Sequence, residues 1–293
     1  MKIAISGSEN FVGSYIVNYL RNFSSKIFLL NEYENDERWK DIINESDVVI
    51  NLSGSPIFGR WTKAKKKLIR DSRIEPTKRI VTILNELSEA SGKRTFIAAS
   101  TTGIYPEDKV HTFSNFPSQK ENSFLAEITA QWEAEVDDIV NPSVRVIVAR
   151  LGVILCKEGG MLKSILPAFK RGFGYTVGNG KQMLSFVHIK DVANAIKFFI
   201  TNDNISGFYN IVAPAPISND ELTKTIAKKL HRPRLLKIPP LFFKLALGES
   251  ANILLNEIKI YPKELLSKKF EFEYPTFEKS IDEILNINCY KEV

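Results

Sequence analysis

Cysteine and histidine are scarce in this 293-residue chain. The two cysteines, Cys156 and Cys289, lie far apart and outside any metal-ligand spacing, which excludes a disulfide framework. His111, His188 and His231 are scattered, so no metal centre is expected. The apolar run from Ile238 to Leu247 is interrupted by Pro239, Pro240 and Lys244 and is too short to cross a bilayer. No leader-like segment is recognisable at the opening MKIAISG, and a reducing, cytoplasmic setting is expected. The excess of positive charge is slight, +6, and reads as a solvated lysine-rich surface. Neither nucleic acid nor a membrane is therefore an expected partner. Internal repeats and low-complexity segments are lacking too.

What remains is an ordinary globular composition, 44% hydrophobic and 25% charged, long enough for one large or two modest domains. Its most informative stretch is KIAISGSENFVGSYIVNYL. Ile3 to Ile5 read as a short buried strand, Gly7 and Gly13 fall in a turn, and Phe11, Val12, Ile16 and Leu20 repeat at helical spacing. Strand, glycine turn and helix in that order make a dinucleotide-binding turn. Its glycines let backbone approach a pyrophosphate held at the positive end of the helix. Asn10 stands where a middle glycine is expected, and is tolerable there because asparagine visits left-handed geometry.

Strand-like runs then alternate with helical segments: Lys26–Leu30, Val48–Asn51, a helix over Arg70–Glu89, Thr95–Ala99, a helix over Ser123–Ile139, and Val144–Leu151. Such alternation implies a Rossmann-type, doubly wound parallel sheet covered by helices. After Cys156 glycines break the pattern. Asp191 reads as the N-cap of a helix to about Ile200, before a strand at Phe208–Ile211. From Pro214 onward no strand is expected before Phe270–Tyr274. The predicted division is a dinucleotide-binding domain, 1–155 with 186–212, and a smaller, mostly helical substrate lobe, 156–185 with 213–293.

Glu32, just past the second strand, suits the adenosine ribose hydroxyls and would repel a 2′-phosphate; the other reading is a surface glutamate. Asn51-Leu52-Ser53-Gly54 closes the third strand where such a sheet places backbone beside the cofactor. With the Ser100-Thr101-Thr102-Gly103-Ile104-Tyr105 segment, these features resemble the extended short-chain dehydrogenase/reductases. Further motifs are similar to a branch labelled an NAD-dependent epimerase family, whose C-terminal segment is a domain of unknown function. They include Ser72-Arg73, Trp132-Glu133, Arg150-Leu151-Gly152-Val153, Gly178-Asn179-Gly180, His188-Ile189-Lys190-Asp191 and Phe270 to Pro275.

The resemblance implies a bound NAD or NADP. Gly7, Ser8, Asn10, Phe11, Val12 and Gly13 would hold the pyrophosphate, and Asn31 and Glu32 the ribose. Leu52, Ser53 and Gly54 would flank the cofactor, Arg73 would pair with a phosphate, and Gly152, Val153 and Ile154 would lie near the nicotinamide. Many relatives end the second strand with an arginine suited to NADP; Asn31-Glu32 here favours NAD. The resemblance also implies oxidoreduction or epimerisation of a small hydroxylated substrate, with Ser100, Thr101 and Tyr105 as the catalytic candidates.

The superfamily's tyrosine and lysine, one helical turn apart, are missing from SFLAEITAQWEAEVDDI. A formal pair, Tyr105 and Lys109, straddles Pro106 and reads as a loop; Glu121 and Glu127 are the nearby carboxylates, the latter read as a helix-surface acid. This absence keeps a second reading open, a dinucleotide-sensing protein without turnover, in keeping with the cell-division-inhibitor label some members carry. The basic run Arg60 to Arg73 reads as a helix face. His188 and Asp191 read as fixing a loop-to-helix entry. Phe169, Phe173, Tyr175, Met183 and Phe186 suit either a substrate cleft or a core. A homodimer is left open.

Overall fold

The computed structural model describes the whole chain except residues 89–91, 106–111, 114–122, 158, 256–258 and 287–293. The chain opens with β1 (Lys2–Ser6), α1 (Phe11–Leu20), β2 (Lys26–Leu30), α2 (Asp36–Glu45), β3 (Val48–Asn51), α3 (Lys63–Glu86) and β4 (Arg94–Thr101). A two-residue strand β5 (Thr112–Phe113), α4 (Phe124–Asp137) and β6 (Val144–Leu151) follow. Next come β7 (Val153–Leu155), α5 (Gly160–Lys170), β8 (Gly174–Val177), β9 (Met183–Leu184), β10 (Phe186–His188), α6 (Ile189–Thr201) and β11 (Gly207–Ile211). The tail holds β12 (Ile217–Ser218), α7 (Asn219–Lys229), β13 (Arg234–Ile238), α8 (Pro240–Leu247), α9 (Asn252–Leu255), β14 (Lys259–Ile260), α10 (Lys263–Ser267) and α11 (Phe277–Asn286).

Six strands form one parallel sheet in the order β11-β6-β4-β3-β1-β2. The order reverses beside β1, so the loops after β1, β3 and β4 open onto one carboxyl edge. That is where a doubly wound sheet holds its ligand. Side chains alternate between the two faces, as a period of two requires. Ile3, Ile5, Val48, Ile50, Ile97 and Ile147 pack with α1 and α6. Ala4, Val49, Phe96, Ala98 and Val148 pack with α2 and α3. Strands apolar on both faces are what a covered parallel sheet needs.

A third cluster, with Leu162, Leu166, Phe169, Phe186, Leu222, Ile226, Phe277 and Ile281, joins α5, α7 and α11 beyond the carboxyl edge. Phe169 and Phe186 are thus core residues, whereas Phe173 is exposed and Tyr175 and Met183 are half-buried.

Several expectations need correction. The tail is not strand-free before Phe270: β12, β13 and β14 each pair with a strand of an earlier segment. Phe270–Tyr274 is not a strand. Its backbone is held by a side chain instead, for the Glu273 and Tyr274 N–H groups donate to the Asp191 carboxylate at 2.8 and 3.0 Å. Asp191 is therefore not the cap of α6. His188 is the cap, its Nδ1 accepting from the Lys190 N–H at 3.3 Å. The helix expected from Arg70 begins earlier, at Lys63 behind the Thr62 cap, and runs through Pro76.

Candidate functional site

Gly7 has φ +73, and a Cβ there would lie 2.5 to 2.6 Å from the Leu52 carbonyl and the Ser53 nitrogen. A Cβ on Gly13 would lie 2.0 Å from the Gly7 oxygen. No other residue fits either position, because the turn is pressed against the loop after β3 on one side and against α1 on the other. Asn10 has φ −82 and ψ 164, extended rather than left-handed, so its tolerance has a different cause. Its Oδ1 accepts from the Val12 and Gly13 N–H groups at 3.0 and 2.8 Å, and its Nδ2 donates to the Leu52 oxygen at 2.8 Å. Asn10 is an N-cap that also ties the turn to the β3 loop. Ser8, Phe11 and Val12 are half-buried around it.

The β3 loop is fixed from beneath by a buried hub. Asn51 accepts from the Ser6 hydroxyl at 2.7 Å and from the Ser53 N–H at 3.1 Å, and donates to Thr77 Oγ1 at 2.7 Å. The Trp132 indole also donates to Thr77, which passes its own proton to the Arg73 carbonyl. Every polar atom of the hub thus has work, which holds Leu52, Ser53 and Gly54 in one place.

Arg73 lies across this loop. Its guanidinium donates to the Ile69 and Ser55 carbonyls at 2.9 and 3.1 Å, and a Cβ on Gly54 would come within 3.0 Å of its Cζ. Burial pulls its pKa down to about 10, which still leaves it charged at neutral pH. Among the described residues no carboxylate forms an ion pair with it. Beside it the Ser55 hydroxyl oxygen is buried with no partner. Arg73 is thus a half-buried cation that donates only to carbonyls, with its Cζ 5.7 Å from the centroid of the Trp132 ring, beside a hydroxyl that has no hydrogen-bond partner.

At the outer end of the edge, Asn31 and Glu32 are both exposed. Asn31 shapes its loop, with Oδ1 accepting from the Tyr33 N–H at 3.0 Å and its carbonyl accepting from the Trp39 indole at 2.8 Å. The Glu32 carboxylate is left facing water.

The three catalytic candidates part company. Ser100 is buried, and its hydroxyl donates to Glu133. Tyr105 is 1% exposed; its hydroxyl donates to Asn210 Oδ1 at 2.8 Å and accepts from Arg150 Nη1 at 3.2 Å. Burial pushes the Tyr105 pKa up, so it stays a phenol. Thr101 alone of the three is half-buried, with Oγ1 accepting from the Gly103 N–H at 3.2 Å.

Glu133 and Arg150 bind each other through two hydrogen bonds, 2.8 and 2.7 Å, and together with Ser100, Tyr105 and Asn210 they form a closed polar cluster under the edge. Sequence reasoning gave these two charges no role. The available signal was an arginine inside the apolar strand VRVIVARL, which needs a buried counter-charge.

On α4, Leu125 packs against the turn at Gly103, where a Cβ would meet its Cδ2 at 2.5 Å. Thr129, one turn on, is buried and donates to the Leu125 carbonyl. Glu127 is exposed, as expected of a helix-surface acid. Lys109 and Glu121 lie outside the described residues.

Gly152, Val153 and Ile154 continue the edge after β6, where the Gly152 and Val153 N–H groups bond to Ile211 and Ser185. His188 and Asp191 do fix the entry to α6, by the capping and clamping contacts given above. No cluster of histidine, cysteine, aspartate or glutamate suited to a metal occurs among the described residues.

Comparison with known proteins agrees with this architecture. The model of the NAD dependent epimerase/dehydratase family matches residues 3–211, and a domain of unknown function, DUF1731, matches 238–284. The epimerase family protein YfhF of Bacillus subtilis (strain 168) is 31% identical over 300 residues, covering 97% of this chain and 98% of the relative. The epimerase family protein SA0724 of Staphylococcus aureus (strain N315) is 30% identical, covering 96% and 98%. The crystal structure of human epimerase family protein SDR39U1 (isoform 2) with NADPH superimposes with a TM-score of 0.89. It covers 98% of this chain and 100% of that one, and at 22% identity it speaks for the fold alone. A nucleoside-diphosphate sugar epimerase from Corynebacterium glutamicum, 25% identical, gives a TM-score of 0.76 over 96% of this chain and 57% of its own. With a glycine turn at a topological switch point and full-length relatives of one kind, this chain belongs to the NAD dependent epimerase/dehydratase family.

Proposed function

We propose that the protein binds a nicotinamide dinucleotide across the carboxyl edge and uses it to oxidise, reduce or epimerise a small hydroxylated substrate. The observation that carries this reading is Arg73, a half-buried cation that donates to carbonyls, lies over the Trp132 ring and has no ion-paired carboxylate among the described residues, beside the loop on which the glycine turn rests. Its charge would be neutralised by a cofactor phosphate. Gly7, Ser8, Asn10, Phe11, Val12 and Gly13 would face the pyrophosphate, with the Val12 and Gly13 N–H groups already engaged by the Asn10 side chain. Asn31 and Glu32 would take the adenosine ribose; an exposed carboxylate there disfavours a 2′-phosphate, and NAD is preferred over NADP. Leu52, Ser53 and Gly54 would flank the cofactor, with Gly152, Val153 and Ile154 beside its nicotinamide.

The bound cofactor supplies a hydride donor or acceptor. The residues of this chain would position a substrate hydroxyl against it. Thr101 is the hydroxyl available for that task; Ser100 and Tyr105 are committed to the closed cluster and act by holding the end of β4 still. A protein base of the tyrosine and lysine kind has no counterpart on α4, which contains neither residue. Proton transfer would therefore rely on substrate, solvent or residues outside those described.

Calorimetric titration with NAD, NADH, NADP and NADPH tests the reading, followed by a substrate screen read by nicotinamide absorbance. Binding lost in Arg73→Met supports it, and binding of none of the four overturns it. Binding with no turnover across hydroxylated substrates would return the dinucleotide-sensing reading.

A further inference from the structure

The apolar run Ile238–Leu247, too short to span a bilayer, has a different property in three dimensions. It lies on the surface. No residue of α8 is buried. One stripe of the helix leans inward, with the Phe243 ring 6.0 Å from that of Tyr175. The opposite stripe, Leu241, Phe242 and Leu245, is 63%, 61% and 65% exposed. Directly before it, β13 exposes Leu235 and Leu236, at 82% and 47%. Phe173, 61% exposed, sits at the start of β8, the strand that β13 pairs with. Six large apolar side chains therefore stand outward on one continuous segment and its neighbour, where an uncovered patch calls for a partner.

Charge says which partner. From 231 to 247 the chain carries Arg232, Arg234, Lys237 and Lys244 and no acidic residue. Arg234 is bound to Asp220. Arg232, Lys237 and Lys244 are exposed and enter no ion pair among the described residues, and Lys170 and Arg171 beside Phe173 are likewise exposed. A second copy meeting this face through a two-fold axis would set these cations against themselves. An anionic bilayer satisfies both features at once, taking leucine and phenylalanine into its interface and lysine and arginine against its headgroups. We propose that the face built by β13, α8 and Phe173 docks the protein peripherally on an anionic lipid surface.

The test is co-sedimentation of the full chain with large vesicles of phosphatidylcholine alone and of phosphatidylcholine with 30% phosphatidylglycerol, a composition of about one anionic lipid in three. The expected result is binding to the anionic vesicles only, weakened as salt screens the headgroups. Lys237→Glu with Lys244→Glu should weaken the partition by roughly 25-fold or more, about fivefold per cation removed. Leu241→Ser with Phe242→Ser and Leu245→Ser should weaken it at least as much, while both variants keep the parent's thermal midpoint because all five side chains are exposed. No preference for anionic vesicles overturns the proposal, as does binding that both variants leave unchanged. A concentration-dependent dimer that the serine variant breaks, with no vesicle binding, assigns the face to a second copy and also overturns it.

Discussion

Arg73 and Arg150 are both drawn in from solvent near the same sheet edge, yet their surroundings differ in kind. Burial pulls Arg150 down, but the hydrogen bonds and charge of Glu133, together with Tyr105, outweigh that and its pKa ends raised. Arg73 donates only to carbonyls, with the Trp132 ring alongside, and burial leaves it lowered, to about 10. A buried cation whose counter-charge is already in the chain serves the fold. One whose counter-charge is missing makes its environment costly until a ligand supplies it. The closed cluster thus reads as structure, and the open one is where the dinucleotide phosphate is proposed to bind.

The contrast can be broken most forcefully at Glu133. Glu133→Ala would strand Arg150, and unfolding in urea should show a loss of about 3–5 kcal/mol. An unchanged midpoint would mean the pair is not the anchor described here. His188 offers a neutral version of the same question, being buried with Nε2 unpartnered and its pKa lowered by burial to about 4. Because the folded value lies below the unfolded one of about 6.5, the unfolded chain binds the extra proton between them. Stability is full above pH ~6.5 and falls toward pH ~4, by roughly 3 kcal/mol from this group. A His188→Gln variant should flatten that part of the profile; an equally steep one would place the titration elsewhere.

Arg73→Met should do the opposite of Glu133→Ala, leaving urea stability within about 1 kcal/mol of the parent while dinucleotide affinity drops roughly 10- to 100-fold, the worth of a charge-assisted bond. If stability collapses and binding survives, the two arginines have been assigned the wrong way round. A smaller effect is expected at the outer end of the site. Glu32→Ser should narrow the preference for NADH over NADPH by about tenfold in calorimetry, and no change would leave Glu32 a surface acid. Smallest is Asn10→Gly, which loses only a few tenths of a kcal/mol of capping and frees the Val12 and Gly13 N–H groups. Dinucleotide binding should tighten; a weaker complex would show that the tether to Leu52 matters more than the freed donors.

The strands Lys26–Leu30, Val48–Asn51 and Val144–Leu151 were legible to the residue: Val48–Asn51 as a fully buried run, Lys26–Leu30 as a short apolar run on the sheet edge, and Val144–Leu151 as a β-branched run that carries two arginines. The glycine turn was legible too, since only glycine fits where backbone meets backbone. The tail was not. Strands of two residues, such as β12 and β14, carry no periodicity, and Phe270–Tyr274 has strand-like composition but spends its N–H groups on Asp191. Asp191 itself looked like a cap because it stands at a helix start, where cap and first turn share a preference for acids. In the site, the candidate hydroxyls could be named from the chain, but not which of them were engaged.

By itself the sequence determined the fold class and the glycine turn, because local patterns of burial and close backbone approach leave few alternatives; the family followed from resemblance in motifs such as Ser72-Arg73 and Arg150-Leu151-Gly152-Val153. The tertiary structure decided what pairs with what. It spent Ser100 and Tyr105 on Glu133, Arg150 and Asn210, left Arg73 without an ion-paired carboxylate among the described residues, and turned a short apolar run outward rather than in. Pairing of charges and exposure of a face depend on residues distant in the chain. Neither is written at the position it governs.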